Sequence, residues 1–237
     1  MEIIIDFVAV RRIASQEYRQ AGAEIAALGP VAAYRNSQRR HDQRLAAAPD
    51  ATSLACQPGC AWCCYFSVDL RPAEVFHILD FIESHWAPQA RERLRAEIET
   101  NSAVLATLDE VERMRRNVKC PFLSEGRCGI YAARPQTCRN YHATDAAGCR
   151  KSFEEPDNLD IDPEFAPLVY QAGGAHVDAF SKALHDAGYD IMAFELNTVL
   201  AAAMGDAEAR RRFEARQPAF PQLSGTEVPF EFLDEAD

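Results

Sequence analysis

Cys56-Gln57-Pro58-Gly59-Cys60-Ala61-Trp62-Cys63-Cys64 (CQPGCAWCC) places four thiols in nine consecutive residues. A second, open group follows: Cys120, Cys128, Cys138 and Cys149. All eight cysteines of the 237-residue chain fall between Cys56 and Cys149. Thiolates at such spacing suit a soft or borderline metal, because several sulfurs reach one ion at little loop-closure cost. The fold is therefore read outward from a metal site.

The donor arithmetic leaves zinc and iron both open. Four thiolates close a tetrahedral zinc site, and the same four hold an iron–sulfur cluster. The vicinal pair Cys63-Cys64 discriminates. Neighbouring residues strain to place both sulfurs on one tetrahedral ion, and serve two metals or two irons of one cluster more easily. The second group, with gaps of seven, nine and ten residues, contains no CxxC pair. Two independent zinc ribbons are disfavoured on both counts. Disulfides explain the cysteines poorly. The start, MEIIIDFVAVRR, carries Glu2 and Asp6 inside its apolar part and its arginines after it, the wrong order for a secretory signal. A reducing, cytoplasmic setting is expected.

On either side of the cysteines the pattern is helical. Residues 7–48 are rich in alanine, glutamate, glutamine and arginine, with a break at Gly29-Pro30. Pro72 suits a first helical position, with Glu74 in the first turn. Val75, Ile78, Leu79, Ile82 and Trp86 then recur at helical spacing. A second helix is expected from Pro88 to about Arg116, with Leu94, Ile98, Leu105 and Leu108 as its stripe. From Asn117 to Cys149 no period survives, and prolines and glycines punctuate a stretch that metal ligation would have to organise. Helix returns at about Pro163, with the stripe Phe165, Leu168, Val169, Val177, Phe180 and Leu184. The last helix is expected from Ile191 to Met204, with a shorter one to Arg216. Gln171-Ala172-Gly173-Gly174 reads as close helix packing or a helix break, not a nucleotide loop.

The expectation is a mainly α, single-domain chain (1–237) whose helices frame a loop-rich cysteine-cluster metal site. Its parts are N-terminal helices at 1–50, the cysteine-cluster region at 51–151, C-terminal helices at 160–216 and an acidic tail at 217–237. The tail either stays disordered or packs Phe220, Phe230 and Phe232 onto the body.

A net charge of −11 argues against nucleic acid and against an anionic membrane as partners, and no apolar run approaches the ~20 residues of a spanning helix. The charge is uneven. Between Arg113 and Lys151 nine basic residues face only Glu125 and Asp145, a local balance of +7 that leaves −18 for the rest. Guanidinium groups here, Arg134 and Arg139 among them, would offset a thiolate-rich site. The same charge would equally serve as a solvated face, or as a dock for an acidic protein or a small anionic partner.

CQPGCAWCC followed by CPFLSEGRCGIYAARPQTCRNY resembles the YkgJ-like cysteine-cluster family, described as zinc- or iron-chelating. The matching positions are Cys60, Cys63 and Cys64, then Glu74, then Cys120-Pro121-Phe122-Leu123, Cys128, Ile130-Tyr131, Arg134-Pro135, Cys138-Arg139 and Tyr141. The spacing departs from the family pattern at Cys56, which is separated from Cys60 by three residues instead of two. The resemblance implies metal chelation, with Glu74, Arg134, Arg139 and Tyr141 beside the metal. It also implies a likeness to larger protein-modifying methylases with a similar cluster. The expected metal ligands are Cys56, Cys60, Cys63, Cys64, Cys120, Cys128, Cys138 and Cys149, with His142 a candidate to complete a mixed site. His77, His85, His176 and His185 are scattered and expected to be structural. No catalytic residue is identifiable. The leading expectation is a metal-binding protein holding zinc or iron, an iron–sulfur cluster included. The alternatives are a redox or protein-modifying enzyme using the metal, and an interaction protein with a basic face.

Overall fold

The computed structural model describes residues 7–57 and 59–233, and of Glu110 the backbone alone. Glu2 and Asp6 of the leader argument, Pro58 of the tight cysteine loop, and the tail acids Asp234, Glu235 and Asp237 lie outside the described residues. Ten α-helices and two small two-stranded sheets are present among the described residues, so the fold is mainly α.

The N-terminal helices α1 (Phe7–Leu28) and α2 (Pro30–Ala47) pack as a hairpin about Gly29. Gly29 takes φ 82°, a conformation costly for side-chain-bearing residues, and Pro30 follows at the first helical position, where no backbone N–H is needed. After the tight cysteine loop, β1 (Asp69–Leu70) leads into α3 (Pro72–His85). The Glu74 carboxylate caps α3 by accepting from the Arg71 N–H at 2.8 Å.

The single helix expected from Pro88 to about Arg116 is instead two, α4 (Pro88–Leu105) and α5 (Glu110–Met114). Asp109 is the reason. Its carboxylate accepts from the Glu112 N–H at 2.8 Å while the Glu112 side chain accepts from the Asp109 N–H at 2.9 Å, a reciprocal cap that starts a new helix. Leu94, Ile98 and Leu105 are buried as expected, and Leu108, past the break, is half-buried.

The aperiodic stretch holds more structure than its sequence pattern suggests. A hairpin joins β2 (Leu123–Ser124) to β3 (Arg127–Cys128), then come a 3₁₀ turn at Tyr131–Ala133, α6 (Gln136–Asn140) and α7 (Ala146–Glu154). Helices this short do not repeat long enough for a 3.6-residue period to register. The Asp145 side chain caps α7 by accepting from the Ala147 and Gly148 N–H groups.

The long helix α8 (Pro167–Asp186) begins at Pro167, not Pro163. Asp50 caps it from a distance, accepting from the Leu168 and Val169 N–H groups at 2.8 and 3.0 Å. It lies against α1 and α2 on one side and α6 on another. Its residues 171–176 are buried without interruption, so it is a central helix and not the one-sided stripe expected. Phe165, Leu168 and Val177 of that stripe are only half-buried. Gly173 and Gly174 provide close packing: a Cβ at Gly173 would occupy the place of the Asn140 side chain, and one at Gly174 that of the Phe232 ring.

Residues 191–195 are extended. Within them β4 (Phe194–Glu195) pairs antiparallel with β1, so the last long helix, α9 (Leu196–Gly205), starts five residues later than expected. The Glu195 carboxylate caps it. α10 (Ala209–Glu214) closes the helical part. Phe76, Phe194, Phe213 and Phe220 meet in one aromatic core. The tail packs through residue 233: Phe220 is buried, Phe232 sits on Tyr170, and its N–H donates to Asp178 at 2.8 Å.

Candidate metal centre

Local structure folds the two cysteine groups together. The 3₁₀ turn Trp62–Tyr65 carries Cys63 and Cys64. The Cys64 carbonyl accepts from the Cys120 N–H at 2.7 Å, joining the first group to the second by a backbone hydrogen bond. The β2–β3 hairpin turns through Glu125 (φ 50°) and Gly126 (φ 72°). It sets Cys128 opposite Leu123, whose N–H donates to the Cys120 carbonyl at 3.0 Å. α7 brings Cys149 onto the 3₁₀ turn, held by Phe153 against Trp62 and Tyr65. Cys56 runs beside Ala143, whose N–H donates to its sulfur at 3.5 Å.

The eight thiols then form one electrostatic network with Cys63 at its hub. Cys63 is hydrogen-bonded to Cys64, and these two effects, that bond and then burial, hold its thiol far above the ordinary range. Burial pushes Cys120 up to about 12, with the charges of Cys128, Glu97 and Cys63 adding to it. Burial likewise holds Cys138 well above its usual value, reinforced by Cys120, Cys63, Cys128 and Glu74. Cys149 is pushed to about 11 by burial and then by Cys56, Cys63 and Cys60. Cys60 is raised by burial, with Cys56 and Cys63 acting in the same direction. Cys128 is raised by burial, against the opposing charge of Arg134. Cys60, Cys63, Cys120, Cys128, Cys138 and Cys149 are thus held towards the protonated thiol, and a cation would take the place of those protons. All eight are free of disulfides.

The donor chemistry fits zinc or iron: free, mutually coupled sulfurs, partly dry. Among the described residues, no three of the His, Cys, Asp and Glu side chains stand together in a ready metal-holding group. The thiols are gathered into one zone without being closed on one point.

The other expected site residues divide between this zone and its support. Glu74 is buried; its carboxylate accepts from the Gln136 N–H at 2.9 Å and from the Tyr34 hydroxyl at 3.1 Å. It thereby fixes α6, which carries Cys138, to α3 and α2. Arg139 is 1% exposed, pairs with Asp42 and donates to the Ala132 carbonyl at 3.1 Å. Arg134 lies over the Tyr131 ring at 4.0 Å, 3.6 Å from Asp42. Tyr141 faces the thiols, its hydroxyl pushed to about 12 by burial and then by Cys149 and Cys63. His142 is lowered by burial and then by Arg134, and His41 is among the groups that it affects. His77 lies against Tyr34 and His85 against Phe81. His176 stacks on His41, and His185 sits on the surface beside Asp186.

Sequence reading missed Asp42, Tyr34, Gln38 and His41, all on α2 and far from the cysteines in the chain. The signal was present. Tyr34, Ser37, Gln38, His41 and Leu45 recur at helical spacing and are all buried, a core stripe made mostly of polar residues. They belong to a buried polar network. The Glu17 carboxylate receives hydrogen bonds from Ser37, Arg40 and Arg44, and His176 bonds Ser37 at 2.8 Å. Burial alone would raise the Glu17 carboxyl, but those bonds outweigh it and its pKa is lowered. Burial holds His41 and His176 neutral, well below the usual histidine range.

Residues 55–161 match the model of the CxxCxxCC family, described as a "Putative zinc- or iron-chelating domain", the family that the motif resembles. The match spans both cysteine groups and α7. No curated protein and no solved structure matches the chain. No helix among the described residues is long and apolar enough to cross a membrane.

Proposed function

We propose that residues 55–161 hold zinc or iron in a reducing, cytoplasmic setting, as one polynuclear thiolate or iron–sulfur centre and not as two separate zinc ribbons. The observation that carries this is the convergence on Cys63: Cys60, Cys64, Cys120, Cys128, Cys138 and Cys149 all interact with it. Two ribbons would give two networks. The vicinal pair Cys63-Cys64 supports the same reading, because adjacent thiolates serve two metal ions more easily than one.

Zinc would supply a closed structural link when bound, and iron would add one-electron redox capacity. The chain's own groups prepare the zone. Arg134 counters the negative charge near Cys128. Glu74 anchors α6, and through it Cys138, by its bond from Gln136. The ring contacts of Phe153 with Trp62 and Tyr65 hold α7, which carries Cys149, to the 3₁₀ turn that carries Cys63 and Cys64.

Anaerobic titration of the apoprotein with Co²⁺, a spectroscopic stand-in for zinc, tests the reading. The expected result is thiolate-to-cobalt absorption that saturates above one equivalent and is largely lost in Cys63→Ser. Two independent single-ion steps, with Cys63→Ser removing only one, would contradict a shared centre. No thiolate absorption at all would contradict chelation.

A further inference from the structure

A cleft of about 540 Å³ lies between α2, α3 and the 3₁₀ turn at Tyr131–Ala133. That volume suits a small molecule. Arg35, Arg39 and Arg139 line it, with His77 and Phe81 on the α3 wall. Asp42 is the single carboxylate on its lining, and it pairs with Arg134 and Arg139. Arg35 and Arg39 are thus left without a carboxylate partner among the described residues. Arg139 is nine-tenths buried and more, yet its Nε has no hydrogen-bond partner. That nitrogen is closed off from solvent, so Arg139 gives the cleft wall its charge and not a free N–H. Opposite, Phe81, Leu28 and Ala132 offer apolar surface.

We infer that this cleft binds a small organic acid, its oxyanion head (carboxylate or phosphate) held by the exposed Arg35 and Arg39, with Arg139 adding positive charge in the wall, and its apolar body lying on Phe81. Guanidinium forks match either head in paired hydrogen bonds, which lysine would not do. The positive field in the cleft has an independent trace. His77 is lowered to about 4, first by burial and then by the charge of Arg35, against the opposing charge of Asp80 and with Arg139 acting in the same direction as Arg35. No cysteine lines this cleft, and the inference does not depend on which metal the thiols hold.

Calorimetric titration of the full chain tests it, with phenyl phosphate, benzoate and inorganic phosphate as probes at low and at 300 mM salt. Binding of phenyl phosphate or benzoate with one site per chain is expected, weakened by salt and by at least tenfold in Arg35→Ala/Arg39→Ala. Inorganic phosphate, without an apolar body, should bind more weakly than phenyl phosphate. The tighter of the two aromatic probes identifies the head group. Arg35 and Arg39 are exposed, so the double variant should melt like the parent, and Arg93→Ala serves as an exposed-arginine control. Absence of saturable binding by both aromatic probes, or equal affinity in the double variant, would overturn the inference. So would equal loss in Arg93→Ala, which would mark the binding as unspecific charge attraction.

Discussion

The α1–α2–α8 body and the cysteine segment are both polar inside, yet they settle that polarity differently. In the helical body Glu17 is buried with two arginines and a serine donating to it, and His176 completes the set. Charge meets countercharge, and the remaining histidines stay neutral. In the cysteine segment Glu74 and Arg139 are partnered in the same way, but the thiols are not: thiol raises thiol, and Arg134 is the opposing charge at Cys128. A buried ionic network can be satisfied by protein alone. A nest of like groups is satisfied only by something of opposite charge brought from outside. The body is therefore expected to fold without a metal, and the segment to depend on one.

Metal removal should separate the two most sharply. Structural thiolate sites contribute on the order of 10 kcal/mol. Stripping the metal should raise amide exchange and protease cleavage within 55–161 while α1, α2 and the body of α8 stay protected, as read by exchange mass spectrometry. A uniform collapse of protection would erase the distinction.

Next in size is Glu17→Ala, which leaves Arg44 and His176 without their carboxylate and Arg40 with Glu24 alone. A cost of about 3–5 kcal/mol is expected in denaturant unfolding, with metal content per folded chain unchanged. Loss of metal in this variant would mean that the two regions are coupled.

Acid should act on helices α1, α2, α3 and α8 in a defined direction. His41, His77 and His176 have folded pKa values below the ordinary 6.5, so the unfolded chain takes up their protons first. Their contribution is complete above about pH 6.5 and fades as pH falls, by up to about 1.4 kcal/mol per pH unit for each histidine. For His77 the window runs down to about 4. Glu17, lowered from 4.5, adds a further loss below that value. The slope in melting temperature should persist in Cys63→Ser, because it belongs to these histidines and Glu17 and not to metal release.

The smallest effect concerns the tail. Gly174→Ala would displace the Phe232 ring, at a cost of about 1–3 kcal/mol, partly offset by alanine's better helix propensity of up to about 1 kcal/mol. A net loss of about 1 kcal/mol corresponds to roughly 2–4 °C in melting temperature for a chain of this size.

What was legible in the sequence follows the same division. The long helices announced themselves through prolines at first positions and stripes such as Leu94-Ile98-Leu105. Their ends did not, where a side chain decided the boundary: Asp109 starting α5, Asp50 capping α8 from more than a hundred residues away. The eight cysteines and Arg134-Arg139 stood out by composition. Their convergence did not, because it rests on the Glu125-Gly126 turn and on the backbone bond from Cys120 to Cys64, neither of which has a period. Asp42, the partner that holds Arg139, sits in a helix whose buried stripe is polar, and a search for apolar recurrence passes over it.

The most direct measurement is metal analysis and thiol counting on the same anaerobically purified sample. Zinc or iron at more than one ion per chain, with most of the eight thiols unreactive until a chelator or acid releases the metal, is the result this account predicts. Well-folded protein with no bound metal and all eight thiols reactive, before and after incubation with zinc or iron, would contradict it.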